Sequence, residues 1–188
     1  MFEGLSELSL VERARKGDQA AFVLLYERHR DTVFRFAWRM VGPEAAEDVA
    51  HDCFLQLLVR PLRFDPSRAS LRTYLCGAAR NQALKRLRDS GREVHDDSVP
   101  EPTDIGGPMA PLLEAERSRQ VQAAVEALAP LQREVLILVE YEELSLAEVA
   151  QVVDADLGTV KARLHRARAS LRRRLGPLTS IPSGGTNA

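Results

Sequence analysis

Eight basic side chains crowd the end of the chain: Lys161, Arg163, His165, Arg166, Arg168, Arg172, Arg173 and Arg174 stand among Val160, Leu164, Ala167, Leu171 and Leu175. At 3.6 residues per turn the apolar set shares one helical face. Arg163, His165, Arg166 and Arg173 project from the others, and Lys161, Arg168 and Arg172 flank the stripe. One face packs and the rest is cationic. A helix that reads DNA needs this division, because its N-terminal side chains reach base edges in the major groove while later arginines grip phosphate. Just upstream, Ser145 followed by Glu148 forms a capping-box pattern. Val149, Ala150 and Val153 give the helix it opens a buried face, and Asp154-Ala155-Asp156 is a short turn. The pattern predicts a helix-turn-helix from Ser145 to Leu164.

A second cationic block lies earlier. Residues 60–88 hold eight Lys and Arg against one Asp, and residues 157–188 hold seven with no acid. Between them residues 89–116 carry one Arg against eight acids, so the formal net charge of -1 conceals two separate sites for a polyanion. The alternative reading of the same charges is a pair of solvated helical faces.

These side chains sit in a chain of 188 residues with 45% hydrophobic and 28% charged residues, a composition that excludes collagen, full disorder and a disulfide scaffold. Apolar residues recur at helical spacing nearly everywhere and never alternate convincingly, so the expected fold class is all-α. Helices are expected over about 6–16, then from a cap at Asp18 to Gly42-Pro43, over about 44–59, and over about 69–88. The second carries a buried stripe of Phe22, Leu25, Tyr26, Val33, Phe36, Ala37 and Met40, and Trp38 also belongs to its core. These four helices make a first domain, residues 1–88. Residues 89–111, with four prolines, three glycines and scattered acids, read as a flexible acidic linker. Helical pattern returns at 112–128, from Pro130 to about Val139, from Ser145 and from Leu157. This makes a second domain, residues 112–175, followed by a disordered tail at 176–188.

Cys53 and Cys76 have no CxxC spacing and apolar neighbours, which fits buried free thiols in a reducing cytoplasm. No metal or cofactor is expected. The start Met1-Phe2-Glu3-Gly4 lacks the features of a signal peptide, and the longest aliphatic run, Val135 to Val139, is far short of a membrane span. Asp48/Asp52 and Glu142/Glu143 read, from the residues alone, as solvated helix charges.

The segment Leu157-Gly-Thr-Val-Lys-Ala-Arg-Leu-His-Arg-Ala-Arg168 closely resembles the recognition helix in region four of the extracytoplasmic-function (ECF) sigma factors of bacterial RNA polymerase. Leu128-Ala-Pro-Leu-Gln-Arg-Glu-Val-Leu136 resembles the start of the same domain. Ala46-Glu-Asp-Val-Ala-His-Asp-Cys-Phe-Leu55 resembles the family's region 2.2 helix, and Leu71-Arg-Thr-Tyr-Leu-Cys-Gly-Ala-Ala-Arg-Asn81 its promoter-reading helix. The resemblance covers roughly residues 10–175.

It implies a specificity subunit with no chemistry of its own, which binds core RNA polymerase, directs it to promoter DNA and helps melt the minus-ten element. It also implies an anti-sigma factor, often membrane-anchored, that holds the protein inactive. Asp48, Asp52, Phe54 and Leu55 would dock on the polymerase clamp. Phe64 to Arg72 would form the loop that captures an extruded minus-ten base, with Phe64 either a wall of its pocket or a plug of the hydrophobic core, while Arg80, Asn81, Lys85 and Arg88 would follow the DNA. Thr159, Lys161, Arg163, His165, Arg166 and Arg168 would face the minus-thirty-five element. The acidic linker would thread toward the RNA exit channel. The sequence departs from the family pattern at His51, Tyr74, Lys85 and Asp154, where Gln, Trp, Asp and Gly are common.

Two other readings are open to the residues. Adjacent His51 and Asp52 on a helix suggest a metal-dependent phosphohydrolase, but the further ligands it needs are missing, since the other histidines are His29, His95 and His165. A free-standing helix-turn-helix regulator, with the first domain sensing a ligand or dimerising, is the second.

Overall fold

The computed structural model describes residues 6–59, 64–91 and 114–176. Of the expected linker only Asp89 to Gly91 falls inside these ranges, and the expected tail lies outside them apart from Gly176. Eight helices and no strand occur among the described residues: α1 Glu7–Arg15, α2 Gln19–Val41, α3 Pro43–Val59, α4 Leu71–Asp89, α5 Glu114–Glu126, α6 Pro130–Glu140, α7 Leu146–Val153 and α8 Leu157–Leu175.

Most helices begin where a short polar side chain can occupy an orphan N–H. Ser6, Asp18, Ser70, Ser145 and Asp156 each accept from the backbone three residues on. At the end of α2 the chain must reverse, and Gly42 does so at φ +87°, a conformation that penalises side chains. Pro43 then opens α3, one residue earlier than expected, because the missing N–H of proline costs nothing at a first helical position.

Helices α1, α3 and α4 pack around α2, whose Leu25, Val33, Phe36, Ala37 and Met40 are buried as expected. Phe22, Tyr26 and Trp38 are only partly buried at the margin of that core. The second unit is built on α6, against which α7 and α8 pack with Val149, Val153, Val160, Leu164 and Ala167. From Gln132 to Leu138 every residue of α6 is buried. The reason is tertiary: α7 and α8 cover part of it and α2 of the first unit covers another, while α4 lies against α7. The two units therefore share a continuous apolar core.

Cys53 and Cys76 are buried free thiols, and burial pushes each up to about 12, far from the ionised form that reacts. No cluster of His, Cys, Asp or Glu suited to a metal occurs among the described residues, and none of the described helices is long and apolar enough to cross a membrane.

Candidate nucleic-acid interface

The turn between α7 and α8 sets the aim of the C-terminal basic helix. Ser145 accepts from the Glu148 N–H at 3.3 Å while the Glu148 carboxylate accepts from the Ser145 N–H at 2.9 Å, which is the reciprocal box the spacing predicts. The Ser145 hydroxyl, donating to the same carboxylate at 2.7 Å, and then the Ser145 N–H hold the Glu148 carboxyl below its ordinary range. Asp154 ends α7 in the left-handed region at φ 52°, so the position where glycine is common in the family does require that conformation. Asp156 then caps α8, accepting from the Thr159 N–H at 2.9 Å and its hydroxyl at 2.8 Å. Gly158 makes room for that cap, since a Cβ there would stand 2.9 Å from the Asp156 carboxylate.

Along α8, Val160, Leu164 and Ala167 are buried, and Lys161, His165, Arg166 and Arg168 are exposed. Arg168 lies over Glu140 at 2.5 Å. Two expected DNA contacts are placed differently. Thr159 is committed to the Asp156 cap. Arg163 is not on the solvent face: its side chain is only 12% exposed and its guanidinium lies 3.8 Å from the fully buried Glu134 of α6. A helix with an inward stripe this wide turns the flank carrying Arg163 toward the neighbouring helix.

The other basic block is carried by α4 and the loop before it. Phe64 packs on Tyr74, with ring centroids 5.5 Å apart, and leans on the core. Phe64, Asp65, Arg68, Tyr74, Arg80 and Asn81 line one side of a cleft of about 710 Å³. Phe64 is thus at once packed and pocket-lining. The opposite wall comes from the second unit, through Gln151, Val152 and Asp154. Lys85, Arg88 and Asn81 are exposed. Arg80 is not; its side chain is 15% exposed and forks onto Glu134 at 2.9 and 3.1 Å. Arg72 donates to the Glu142 backbone oxygen at 2.5 Å and stands 3.7 Å from its carboxylate.

Glu142 corrects the expectation of a solvated charge. It is fully buried, with Arg35 at 3.4 Å, whereas its neighbour Glu143 is exposed. Burial pushes the Glu142 carboxyl above its ordinary range, against the opposing pull of Arg35, Arg39 and Arg72. Glu134 and Glu142 were not identifiable as site residues from the sequence. For Glu134 the one available signal was an acid at the edge of the apolar run Val135 to Val139; Glu142, beyond the end of α6, gave none.

The expected clamp-docking residues divide in two. Asp48, Asp52 and Leu55 lie on the outer side of α3, where Asp48 is 70% exposed and pairs loosely with Arg86 at 3.4 Å. Phe54 is instead 2% exposed and stacks on Tyr26 at 4.9 Å, so it belongs to the core and not to the docking face.

Residues 25–93 match the sigma-70 region 2 family and residues 118–171 the sigma-70 region 4 family. The chain is 31% identical over 189 residues to the ECF RNA polymerase sigma-E factor of Escherichia coli K12, covering 95% of this chain and 98% of that protein. The chain belongs to the ECF sigma factors of RNA polymerase. This ECF sigma factor is also 29% identical to the SigW factor of Bacillus subtilis, over 89% of this chain and 96% of that one. Two solved structures share its fold. They are CnrH in complex with the cytosolic domain of CnrY, with a TM-score of 0.65 and 24% identity over 92% of this chain and 99% of that one, and RpoE in complex with the anti-sigma factor NepR from Bartonella quintana, at 0.64 and 23% over 84% and 98%. It is an alternative sigma factor, a subunit for transcription initiation, and its region 2 and region 4 matches fall on the two helical units.

Proposed function

We propose that this sigma factor binds core RNA polymerase through the exposed face of α3 with Asp48, Asp52 and Leu55, and reads two promoter elements with its two basic helices. Residues 1–88 and 112–175 are its working domains. The second reads duplex at the minus-thirty-five element with Lys161, His165, Arg166 and Arg168, while the first captures melted minus-ten DNA with Phe64, Arg72, Arg80, Asn81, Lys85 and Arg88. Unstacking a base costs a few kcal/mol, which stacking on an aromatic wall and cationic backbone contacts offset.

One observation carries this reading: a matched region 2 and region 4 stand in order in one chain, and the second presents an exposed cationic face on a capped helix-turn-helix. Such a subunit needs no cofactor and no catalytic group, works in the cytoplasm beside its polymerase, and is held in check by an anti-sigma factor. The relative from Bartonella quintana has been crystallised with one, which supports that last element.

In vitro run-off transcription with core polymerase, on fragments including the region upstream of the chain's own gene, tests the reading. A defined transcript only when the protein is added is expected. No core binding and no transcript, with tight binding to a palindromic duplex by the protein alone, would replace it with a free-standing regulator.

A further inference from the structure

The acids of the docking face already have a cation beside them. Arg86 of α4 reaches across to α3, where one nitrogen of its guanidinium stands 3.4 Å from the Asp48 carboxylate and 4.0 Å from that of Asp52. Asn81, Lys85 and Arg88 are exposed on α4, whereas Arg86 has turned to α3. Its contact is loose. A firm guanidinium–carboxylate pair brings nitrogen and oxygen to about 2.7–2.9 Å, often through two parallel bonds, but here a single nitrogen is shared between two carboxylates at longer range. Such a cation lowers the negative charge of the acids without fixing either one in place. Asp48 remains 70% exposed, so it is still open to a partner. Beside the contact lies a groove of about 730 Å³, which Asp52 lines together with Gln82, Lys85, Arg86 and Asp89 of α4. Asp89 is three residues beyond Arg86 on the same helix, a spacing at which it can receive the guanidinium once that group leaves the α3 acids.

We propose that Arg86 is a built-in competitor for the docking acids: it occupies Asp48 and Asp52 in the free chain, a cation of core polymerase displaces it, and the displacement lowers the affinity of the docking face. This inference rests on the core-binding reading above. No helix has to move, because one side chain swings from α3 into the groove and the apolar core stays closed. The exchange is cheap, since an ion pair at exposed positions is worth at most about a fivefold change in an equilibrium. The competitor acts as a threshold. A partner that offers one stray cation gains little over Arg86, while a partner whose cations meet both carboxylates at once displaces it.

The test measures the affinity of the full chain for core RNA polymerase in the absence of DNA, with and without the substitution Arg86→Gln. Removing the competitor should tighten binding about two- to fivefold. A second variant, Arg86→Met, keeps the aliphatic stem of the side chain, and circular dichroism selects whichever variant keeps its helices. In a chain that already carries Asp48→Asn, and so lacks the nearer acid, the gain from Arg86→Gln should shrink. Equal or weaker core binding by a folded Arg86 variant overturns the proposal, because a cation that orients the acids would be missed when it is removed. A gain of the same size in the Asp48→Asn chain also overturns it, since that gain is general repulsion between Arg86 and a basic partner. The unsubstituted chain separates the two readings. Its failure to bind core removes the docking face and the competitor with it; core binding without a gain from Arg86→Gln removes the competitor and leaves the docking face.

Discussion

Helices α4 and α8 are alike in sequence and different in situation. Each has 19 residues, a capping side chain and several arginines. On α8 Lys161, His165 and Arg166 stay on the surface, and only Arg163 turns inward to Glu134. On α4 Arg72 and Arg80 both meet buried glutamates of the other unit. Basic residues at helical spacing therefore show that a polyanion can be held, but not that the site is available. Availability depends on which acids the fold brings opposite them, and these lie 54 and 70 positions away along the chain.

The contrast within α8 between its buried stripe and its surface is open to the largest test. Leu164→Ala removes a buried side chain beside α6 and should lower stability by about 2–5 kcal/mol in urea unfolding, whereas Lys161→Ala should change it by less than about 0.5 kcal/mol. Equal effects would mean that the inward and outward faces of α8 are misassigned. Arg166→Ala should come next, weakening binding to the minus-thirty-five duplex by about 1–3 kcal/mol with an unchanged melting temperature. An unchanged affinity would transfer base reading to other side chains of α8.

Much of this was legible in the sequence. The all-α class, the order of the helices, the caps at Asp18 and Ser145 and the stripe Val160, Leu164, Ala167 all follow from local spacing, and local spacing governs helix formation. Phe54 was misread because a resemblance identifies a helix but not which of its side chains faces inward. That residue is fixed by Tyr26 on α2, 28 positions earlier. Arg163 and Glu142 were misread, and Glu134 was passed over, for a related reason: a charge in sequence looks solvated until a partner is folded onto it.

A smaller effect is expected at the turn. Asp154→Gly relieves a left-handed side chain, and the greater freedom of unfolded glycine offsets part of the gain, so stability should rise by no more than about 1 kcal/mol in the same unfolding measurement. A loss would show that the Asp154 side chain supports the turn.

The smallest expected effect is a local one that distinguishes the caps of the two basic helices. The Thr159 N–H and hydroxyl hold the Asp156 carboxyl below its ordinary range. A lowered value means that the cap's stabilisation is complete above that range and is lost as the pH falls through the depressed value. Ser70, which caps α4, does not titrate in this range. Amide exchange at Thr159 should therefore speed up between about pH 5 and about pH 2 relative to Thr73, and parallel behaviour of the two would remove Asp156 as the cause.

The sequence by itself determined where helices start and stop, which faces are apolar, and that two cationic segments flank an acidic one. Those properties follow from backbone capping and side-chain periodicity, interactions that reach only a few residues. Only the tertiary structure decided which cations meet solvent and which meet Glu134 and Glu142. A buried carboxylate takes its partner from whatever helix lies across the interface, and proximity of that kind leaves no mark in local spacing.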